Sequence, residues 1–433
     1  MTPTIAPSRP RPPGSARGGP PAGLPRLLPD GPVADRPSLA RHLERLGPLP
    51  APGGLVDQVD QAGLRGRGGA GFPTAVKLRA VRSAAGRRRP VVVANGTESE
   101  PLSHKDVTLL GHVPHLVLDG MVAAAVAVGA GRAVLCLKEG SGATAPVRRA
   151  LVERSGLDPV DLEVVEVPAR YVSGEESALV NHLNTGRALP TVTPPRPAQR
   201  GVGGRPTLVD NVETLANLAL IARFGPSWWR SVGTTEDPGS MLVTVSGGVA
   251  HPGLQEVALG TPLPEILGRA GAGPAAGILV GGYFGTWLTP AQISGATFGW
   301  TGLAPLGAAP GCGALTVLPE TCCPLAELSR VADWLAGQSA GQCGACTNGL
   351  PAIAGALARV VRGDPDGAAL GLVRRWAAMV RGRGACKLPD GAVAFVLSGL
   401  EAFAPHLAVH RDGPGCEMTG HQALLPTPQW RTS

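Results

Sequence analysis

Short apolar runs alternate with longer amphipathic segments through the first half of the chain. The runs at 90–94, 133–137 and 162–167 have the length and the β-branched content of buried strands. Helical patterns lie between them, at 109–127 and at about 145–155. Strands that alternate with helices in this way predict an α/β layer built on a parallel sheet.

The pattern changes after Met241. Residues 241–257 and 278–283 have the composition of strands separated by glycine turns, which predicts a small β-rich domain ending near residue 318. From residue 324 onward, four segments show the period of amphipathic helices: 325–336, 350–361, 368–381 and 392–402. They predict a small C-terminal four-helix bundle.

Composition adds a boundary at the start of the chain and excludes some partners. Residues 1 to about 30 are rich in Pro, Gly and Arg with few large apolar side chains, so we expect them to be disordered. The net charge of +7 comes mainly from arginine, but only 3% of residues are aromatic. Because a base-stacking surface needs aromatic side chains, we predict no nucleic-acid partner, and an acidic protein partner is as good an explanation of the charge. No apolar run is long enough to span a bilayer and no secretory signal is present, so a cytoplasmic protein is expected.

A glycine-rich stretch is the strongest local signal. Five glycines fall within residues 63–71, followed by Phe72 and by a helical run that carries Lys77. Residues without Cβ let backbone N–H groups approach a phosphate closely. The spacing G-x-G-x-x-G from residue 66 matches a dinucleotide fingerprint, but residues 55–60 before it read as a helix or loop instead of a strand. The stretch therefore predicts a phosphate-binding loop that is not an ordinary Rossmann entry.

Polar clusters follow two of the predicted strands. Asn95 to Pro101, with Glu98 and Glu100, comes directly after the run at 90–94. The carboxyl end of a parallel strand is where open α/β sheets bind ligands, so this cluster is a site candidate. A second cluster at 169–179 contains two adjacent glutamates at a helix start, where the helix dipole alone would favour them.

Most of the eight cysteines lie in the C-terminal third, which in a cytosolic chain predicts metal or redox chemistry before disulfides. Cys343 and Cys346 have the C-x2-C spacing of metal ligands, and Cys386 lies further on. The histidine pairs 112/115 and 406/410 also have helical metal spacing. We predict no metal there, because neither pair has an evident carboxylate partner.

In their order along the chain, these motifs resemble the NADH-oxidising flavoprotein subunit of respiratory complex I and its relatives in soluble hydrogenases and formate dehydrogenases. The resemblance covers residues 55 to 410. It implies a Rossmann-like FMN-binding α/β domain, a small β-grasp soluble-ligand-binding domain and a helical bundle that holds a [4Fe–4S] cluster. In such proteins FMN takes a hydride from NADH and releases the electrons singly to the cluster. The boundaries expected here are a disordered arm at 1–35, domains at 36–238, 239–322 and 323–412, and a tail at 413–433.

The resemblance also implies a set of cofactor-binding residues from four motifs. They are Gly66, Arg67, Gly68, Gly69, Phe72 and Lys77; Asn95, Glu98, Ser99 and Glu100; Tyr171, Gly174, Glu175 and Glu176; and Asp210, Asn211 and Thr214. Glu98 and Glu176 are expected to act catalytically by shaping the substrate face of the flavin. Asp210 stands where the family usually has an asparagine.

This sequence departs from the family pattern on the nicotinamide side and at the cluster. Thr193 and Arg196 stand where the family has a lysine and an adenine-stacking phenylalanine. Ala340 stands at the first cluster-ligand position, which leaves Cys343, Cys346 and Cys386, with Cys416 as the candidate fourth metal ligand. Three outcomes stay open: an incomplete cluster such as [3Fe–4S], a fourth ligand from elsewhere, or no cluster.

Three functional hypotheses follow. The first is an FMN flavoprotein that oxidises NADH and passes electrons through an iron–sulfur centre to a ferredoxin or a thioredoxin-like iron–sulfur subunit, peripheral to the membrane through that partner. The second keeps both cofactors but exchanges electrons with a ferredoxin or a membrane redox partner without NADH. The third is a non-catalytic scaffold that has lost both cofactors.

Overall fold

The computed structural model describes residues 23–29, 37–51, 53–86, 88–364, 367–411, 416–420 and 422–429. Its helices are α1 (Leu39–Leu46), α2 (Leu55–Ala62), α3 (Thr74–Ala84), α4 (Lys105–His112), α5 (Pro114–Val128), α6 (Thr144–Glu153), α7 (Glu176–Thr185), α8 (Val212–Trp229), α9 (Leu263–Arg269), α10 (Pro290–Ser294), α11 (Trp300–Leu303), α12 (Pro324–Gly337), α13 (Leu350–Arg362), α14 (Ala368–Val380), α15 (Leu388–Ala402) and α16 (Ala404–Arg411). Its strands are β1 (Val91–Gly96), β2 (Arg132–Lys138), β3 (Asp161–Val167), β4 (Thr207–Asn211), β5 (Ser240–Gly247), β6 (Gly253–Ala258), β7 (Thr261–Pro262), β8 (Ala275–Val280), β9 (Thr286–Leu288), β10 (Thr297–Phe298) and β11 (Ala314–Pro319).

The first half of the chain forms a parallel sheet covered by helices, which confirms the predicted α/β layer. Its strand order is β3-β2-β1-β4, and each neighbouring pair is parallel. The apolar side chains of β1 and β2 are buried on both faces, as expected for parallel strands covered by helices. In register, Asn95 of β1 pairs with Asn211 of β4. Two motifs that are distant in sequence therefore meet at one carboxyl edge of the sheet.

The second half contains the predicted small β-rich domain and the predicted helices. A mixed sheet of order β6-β5-β11-β8-β9 packs its apolar face with α9 around a separate core. Helices α12 to α15 form the C-terminal bundle around a core of leucine, valine and alanine side chains. A further helix that the periodicity did not predict, α16, follows directly after α15.

The predicted single helix at 109–127 is wrong, because the chain breaks at Val113. Pro114 lacks a backbone N–H and disfavours helical geometry in the preceding residue, so α4 ends and α5 begins there. Within the described ranges, no single helix is long and apolar enough to cross a membrane. Two pairs of helices, α4 with α5 and α15 with α16, pass that test only together, and they are bent by 98° and 81°.

Part of the predicted disordered arm packs against the body of the protein. Residues 1–22 and 30–36 lie outside the described residues, but Arg26 and Leu27 are fully buried. The guanidinium of Arg26 lies 4.0 Å from the Trp228 ring centre, and Glu256 accepts hydrogen bonds from the backbone of Arg26 and Leu27. The expectation of disorder is therefore wrong for residues 23–29, where a Leu-Pro-Arg-Leu-Leu sequence supplies both an apolar and a charged anchor.

A buried charge network holds the helices beneath the sheet. The carboxylate of Asp119, on α5, lies 2.6 Å from His42 Nε2 and 2.7 Å from Arg154 Nη1, and it also pairs with Arg223. Burial alone would raise the pKa of Asp119. The hydrogen bond with His42 and the two guanidinium charges outweigh burial and hold this pKa well below its usual range.

We expect Asp119→Ala to lower the free energy of unfolding by about 3–5 kcal/mol, because it leaves the buried Arg223 guanidinium without its counter-charge and leaves Arg154 with Asp158 alone. Urea unfolding of the variant and the parent measures this. The exposed Asp57 is the control, and Asp57→Ala is expected to change stability by less than about 0.5 kcal/mol. Equal effects from the two variants would contradict the network's assigned role.

Candidate functional site

One cavity of about 630 Å³ opens at the carboxyl edge of the parallel sheet. Its volume falls in the range of small-molecule and cofactor sites. All of the sequence-predicted cofactor residues line it, and so does Cys386. The structure therefore brings the four motifs together, while their contact with a cofactor stays a prediction.

The glycine stretch forms a closed loop whose tip lines the cavity. Gly66 N donates to Phe72 O at 2.9 Å, and Thr74 N donates to Leu64 O at 3.0 Å, so the two ends of the loop are held together. Gly71 has a φ of +62°, and a Cβ there would lie 2.2 Å from Trp300 Nε1. Glycine is thus required at this position by both the backbone conformation and the close approach of the β-rich domain.

Arg67 connects the loop to the β-rich domain. Its side chain is fully buried, and it donates to Ser240 O at 2.9 Å. The guanidinium lies 5.0 Å from the Trp300 ring centre and 5.9 Å from that of Trp229. Burial lowers the pKa of Arg67 to about 10, against the opposing charge of Glu213. Arg67 therefore anchors the loop to the β-rich domain while it also lines the cavity, and its contact with a cofactor stays a prediction.

Lys77 lies within an acidic pair. Its Nζ is 3.5 Å from Asp210 Oδ1 and 3.7 Å from Glu176 Oε1, and it donates to the Val209 carbonyl. Burial lowers the pKa of Lys77, but Asp210 and Glu176 raise it by more, so the ammonium form is held. Lys77 is thus a fixed charge that joins three of the predicted motifs, rather than a mobile one.

Glu98 is held by the start of α4. Its carboxylate accepts from Asp106 N at 2.8 Å, from Val107 N at 2.9 Å and from Ser103 Oγ at 2.8 Å. Its φ of +41° is a strained conformation for a residue with a side chain, a feature often found at functional sites. The carboxylate of Glu98 thus caps α4 at the cavity wall, and its expected catalytic role stays a prediction.

Glu100 joins the sheet edge to the β-rich domain. Its Oε2 accepts from Tyr171 Oη at 2.8 Å and from Tyr283 N at 2.9 Å. Removal from water raises the pKa of Glu100 to about 7, although these two donors oppose the rise.

The raised pKa of Glu100 predicts that the free energy of unfolding depends on pH, and that Glu100→Gln removes this dependence. The folded-state pKa of Glu100 is raised above its unfolded value, so its contribution to stability is present at low pH and is lost as pH rises through about 7. Between pH 6 and 8 we expect the parent to lose about 1 kcal/mol more stability than Glu100→Gln. Urea unfolding of the flavin-free protein at both pH values measures this difference. A parent and variant with parallel pH profiles would show that Glu100 titrates normally.

Residues that the motifs did not identify also line the cavity, and Lys105 is the most prominent of them. Its Nζ donates to Asn211 Oδ1 at 2.9 Å and lies 2.6 Å from Asp106 Oδ1 and 3.1 Å from Glu213 Oε2. Asn211 in turn donates to Asp106 Oδ2 at 2.7 Å. This network fixes the Asn211 amide at the sheet edge.

The cavity lining offers polar atoms to a ligand and is closely packed behind them. Ser99 Oγ and Asp210 Oδ2 are buried polar atoms of its lining with no partner among the described residues, so they remain available to a polar ligand. Gly174 lets the backbone pack against the second motif, since a Cβ there would lie 2.6 Å from Thr97 Oγ1 and 2.8 Å from Ser99 Oγ.

Two aromatic side chains border the cavity and remain accessible. Phe72 is 46% exposed and Phe284 is 40% exposed. Phe284 packs edge-on against Tyr171, with ring centres 4.9 Å apart. Large exposed aromatic rings beside a cavity are suited to stacking on a flat ligand. Thr193 and Arg196, in contrast, are exposed on a separate proline-rich segment.

Three of the four predicted metal-ligating cysteines meet beside the cavity. Cys343 and Cys346 hydrogen-bond to each other, and burial raises the pKa of Cys346, with smaller contributions from the neighbouring Cys343 and Cys386. Burial raises the pKa of Cys343, but hydrogen bonds from the backbone N–H groups of Ala385 and Cys346 lower it by more. The lowered pKa favours the thiolate, which is the form that binds metals. Cys346 lies in a single π-helical turn, Ala345–Gly349, of a kind frequent at functional sites.

The expectation that Cys416 completes this group is corrected by the structure. The Cys416 Sγ lies 3.3 Å from His406 Nε2, in a different group with Cys323 and His410. Cys323 precedes α12, whereas the Cys343 group adjoins its other end, where Ser339 hydrogen-bonds to Cys346. A helix of 14 residues is about 21 Å long, so it separates the two groups.

A sheet-edge cavity joined to a cysteine group defines an electron-transfer flavoprotein of the iron–sulfur type, and comparison with known proteins agrees. Residues 59–220 match the family described as Nuo51 FMN-binding domain. Residues 326–410 match the NADH-ubiquinone oxidoreductase-F iron-sulfur binding region. The chain belongs to the family formed by the F subunits of NADH-quinone oxidoreductases.

Individual relatives extend this likeness over most of the chain. The F subunit of the NADH-quinone oxidoreductase of Streptomyces coelicolor is 33% identical over 391 residues, covering 84% of this chain and 85% of the relative. The F subunit of Mycobacterium bovis is 31% identical over 396 residues, which cover 86% of this chain and 88% of the relative. A crystal structure of NAD+-reducing [NiFe]-hydrogenase in the H2-reduced state superposes with a TM-score of 0.76 at 33% identity, over 83% of this chain. The chain spans 62% of that hydrogenase chain.

Proposed function

We propose that this protein accepts electrons from NADH on FMN and passes them singly, through an iron–sulfur centre, to a partner protein. The observation that carries the proposal is the single cavity that joins all four flavin motifs to Cys386. FMN, when bound, exchanges a hydride with a nicotinamide and electrons one at a time with iron–sulfur centres. Hydride transfer needs no general acid or base, so the chain's own residues have to bind, orient and exclude water.

The polar cavity lining supplies the binding groups. The loop tip at Gly68 and Gly69 is suited to the phosphate, since it offers backbone N–H donors without Cβ hindrance. Lys77 offsets one of the two carboxylate charges of Asp210 and Glu176, which reduces their repulsion of an anionic ligand. Phe72 and Phe284 are suited to stacking on the nicotinamide dinucleotide at the cavity border.

The donor set for the iron–sulfur centre consists of three thiolates. Cys343, Cys346 and Cys386 fit three irons of a cubane cluster, and Ala340 gives the fourth no ligand. Because Cys386 also lines the cavity, the centre would adjoin the flavin directly. A ferredoxin or a thioredoxin-like iron–sulfur subunit suits the role of acceptor, with the protein cytoplasmic and peripheral to a membrane through that partner.

Cofactor content separates this function from the scaffold alternative. After anaerobic reconstitution with FMN, iron and sulfide, we expect flavin absorbance and protein-bound iron in the full chain. A protein that binds neither would support a scaffold, and both electron-transfer hypotheses would fail.

Phe284→Ala tests the stacking role. We expect the Kd for NADH to rise about 2- to 10-fold while FMN affinity stays unchanged, because an aromatic contact contributes about 0.5–1.5 kcal/mol. Flavin bleaching at graded NADH concentrations measures it. The matched control is Phe224→Ala, which removes a phenylalanine packed against Trp228 and is expected to leave the Kd unchanged. An unaltered Kd in Phe284→Ala would remove this side chain from the nicotinamide site.

A further inference from the structure

A second group of metal-ligating side chains lies at the far end of α12 from the Cys343 group. It consists of Cys323, His406, His410 and Cys416, whose ligand atoms all lie within 4.8 Å of one another. Cys323 Sγ is 3.3 Å from His410 Nε2 and 3.7 Å from His406 Nε2, and His406 Nε2 is 3.3 Å from Cys416 Sγ. Two thiols and two imidazoles thus converge on one point.

The surrounding structure fixes these side chains in a ligating arrangement. Cys323 is the N-cap of α12, and the two histidines lie one turn apart on α16, so they project from the same face. His410 Nδ1 lies 2.7 Å from the Val361 carbonyl, which can only accept a hydrogen bond. The proton is therefore on Nδ1, and the Nε2 lone pair is directed at the thiols. Metal-binding histidines are oriented in this way by a backbone or carboxylate acceptor.

We propose that Cys323, His406, His410 and Cys416 bind one Zn²⁺ ion in a structural site. Zn²⁺ prefers four tetrahedral sulfur and nitrogen ligands, and with bond lengths of about 2.0–2.3 Å its ligand atoms lie about 3.3–3.8 Å apart. The three sulfur–nitrogen distances of 3.3, 3.7 and 3.3 Å match the edges of such a tetrahedron. Four protein ligands leave no open position, as in structural zinc sites.

The same residue types also occur in a two-iron cluster, but the spacing opposes that assignment. In a [2Fe–2S] centre with two histidines, the imidazoles replace the thiolates on one of the two irons, so nitrogen and sulfur ligands bind different atoms. That division would hold each imidazole away from the thiols. Here each histidine nitrogen is in direct contact with a cysteine sulfur, a mixed arrangement that fits one ion with all four ligands.

The ion would hold the C-terminal segment against α12. Residues 422–429 run along this helix, where Glu327 accepts from the backbone of Leu424 and Leu425, and Trp334 Nε1 donates to Pro428 O at 3.0 Å. The segment also receives a hydrogen bond from Tyr283 Oη to Pro426 O, and Tyr283 N contacts Glu100 in the cavity wall. Zinc at Cys416 would therefore fasten a segment that buttresses the flavin cavity.

Metal analysis of the purified full chain tests the proposal. We expect one zinc per chain in the parent, and loss of most of it in Cys416→Ser and in His410→Ala, with flavin and iron content unchanged. Cys322→Ser is the matched control, since Cys322 adjoins Cys323 but lies outside the group, and it is expected to retain zinc. Zinc that persists in both ligand variants, or iron found at this group in place of zinc, would overturn the assignment.

Cobalt binding keeps the test valid if a ligand variant fails to fold. Metal-stripped parent protein titrated with Co²⁺ is expected to develop visible bands of tetrahedral cobalt with thiolate ligands, saturating at one equivalent and displaced by Zn²⁺. The Cys343→Ser variant, which removes a ligand of the other group, is expected to give the same spectrum. Absence of these bands in the parent would overturn the proposal.

Discussion

Lys105→Met is expected to lower the free energy of unfolding by about 3–5 kcal/mol, because it removes the ion-pair partner of the buried carboxylates of Asp106 and Glu213 and leaves Glu213 only the more distant charge of Arg67. Burial by itself lowers the pKa of Lys105, but these two acids raise it far more, so the charge is a fixed part of the site. The substitution also frees the Asn211 amide that this lysine orients. We therefore expect FMN affinity to fall at least about tenfold, which corresponds to about 1.4 kcal/mol. Urea unfolding and FMN titration measure the two effects.

A second substitution separates charge from packing. Lys105→Met combined with Glu213→Gln removes one unpaired carboxylate and is expected to recover part of the lost stability. Lys387→Met is the control, since Lys387 lines the same cavity with an exposed side chain, and it is expected to cost less than about 0.5 kcal/mol. A double variant no more stable than Lys105→Met alone would show that packing, and not charge, sets the loss.

Cys386→Ser is expected to separate flavin chemistry from electron exit. Cys386 both lines the cavity and belongs to the group with Cys343 and Cys346. Its loss leaves two thiolates for a cluster, so we expect protein-bound iron to be lost and reduction of a one-electron protein acceptor to fall by at least about 100-fold. Reduction of the flavin by NADH is expected to stay within about twofold of the parent, because hydride transfer involves no thiol.

Cys312→Ser provides the control for this experiment. Cys312 lines the same cavity, but its thiol donates to the Gly281 carbonyl and it lies outside the ligand group. Iron content and electron exit are expected to match the parent. If Cys386→Ser retained its iron and its rate of acceptor reduction, Cys386 would have no place in the cluster.

The sheet-edge site could be predicted because its signals are local in sequence. The glycine loop and the polar residues after β1 are short sequence patterns that determine the local backbone conformation. Parallel pairing of β1 with β4 then brings Asn95 beside Asn211. Lys105 and Phe284 belong to no such pattern. Lys105 reaches the site because Glu98 holds the start of α4 there, and Phe284 reaches it through the packing of the β-rich domain against Tyr171.

Long-range packing also explains the errors at the C-terminus. The spacing of His406 and His410 indicates one helix face, but a pair of histidines says nothing about the two cysteines that complete the group. The missing ligand of the Cys343 group makes Cys416 a candidate for it, whereas the fold brings Cys416 to the opposite end of α12. Sequence spacing identifies ligands that share an element, and tertiary packing decides which elements share a metal.

Anaerobic titration of the reconstituted protein with NADH is the decisive experiment on the proposed electron path. We predict that NADH bleaches the flavin absorbance, and that a one-electron acceptor protein then restores it with two acceptor molecules reduced per NADH. A flavin that stays oxidised in excess NADH, yet is reduced by a reduced ferredoxin, would rule out NADH oxidation and favour exchange with a protein donor.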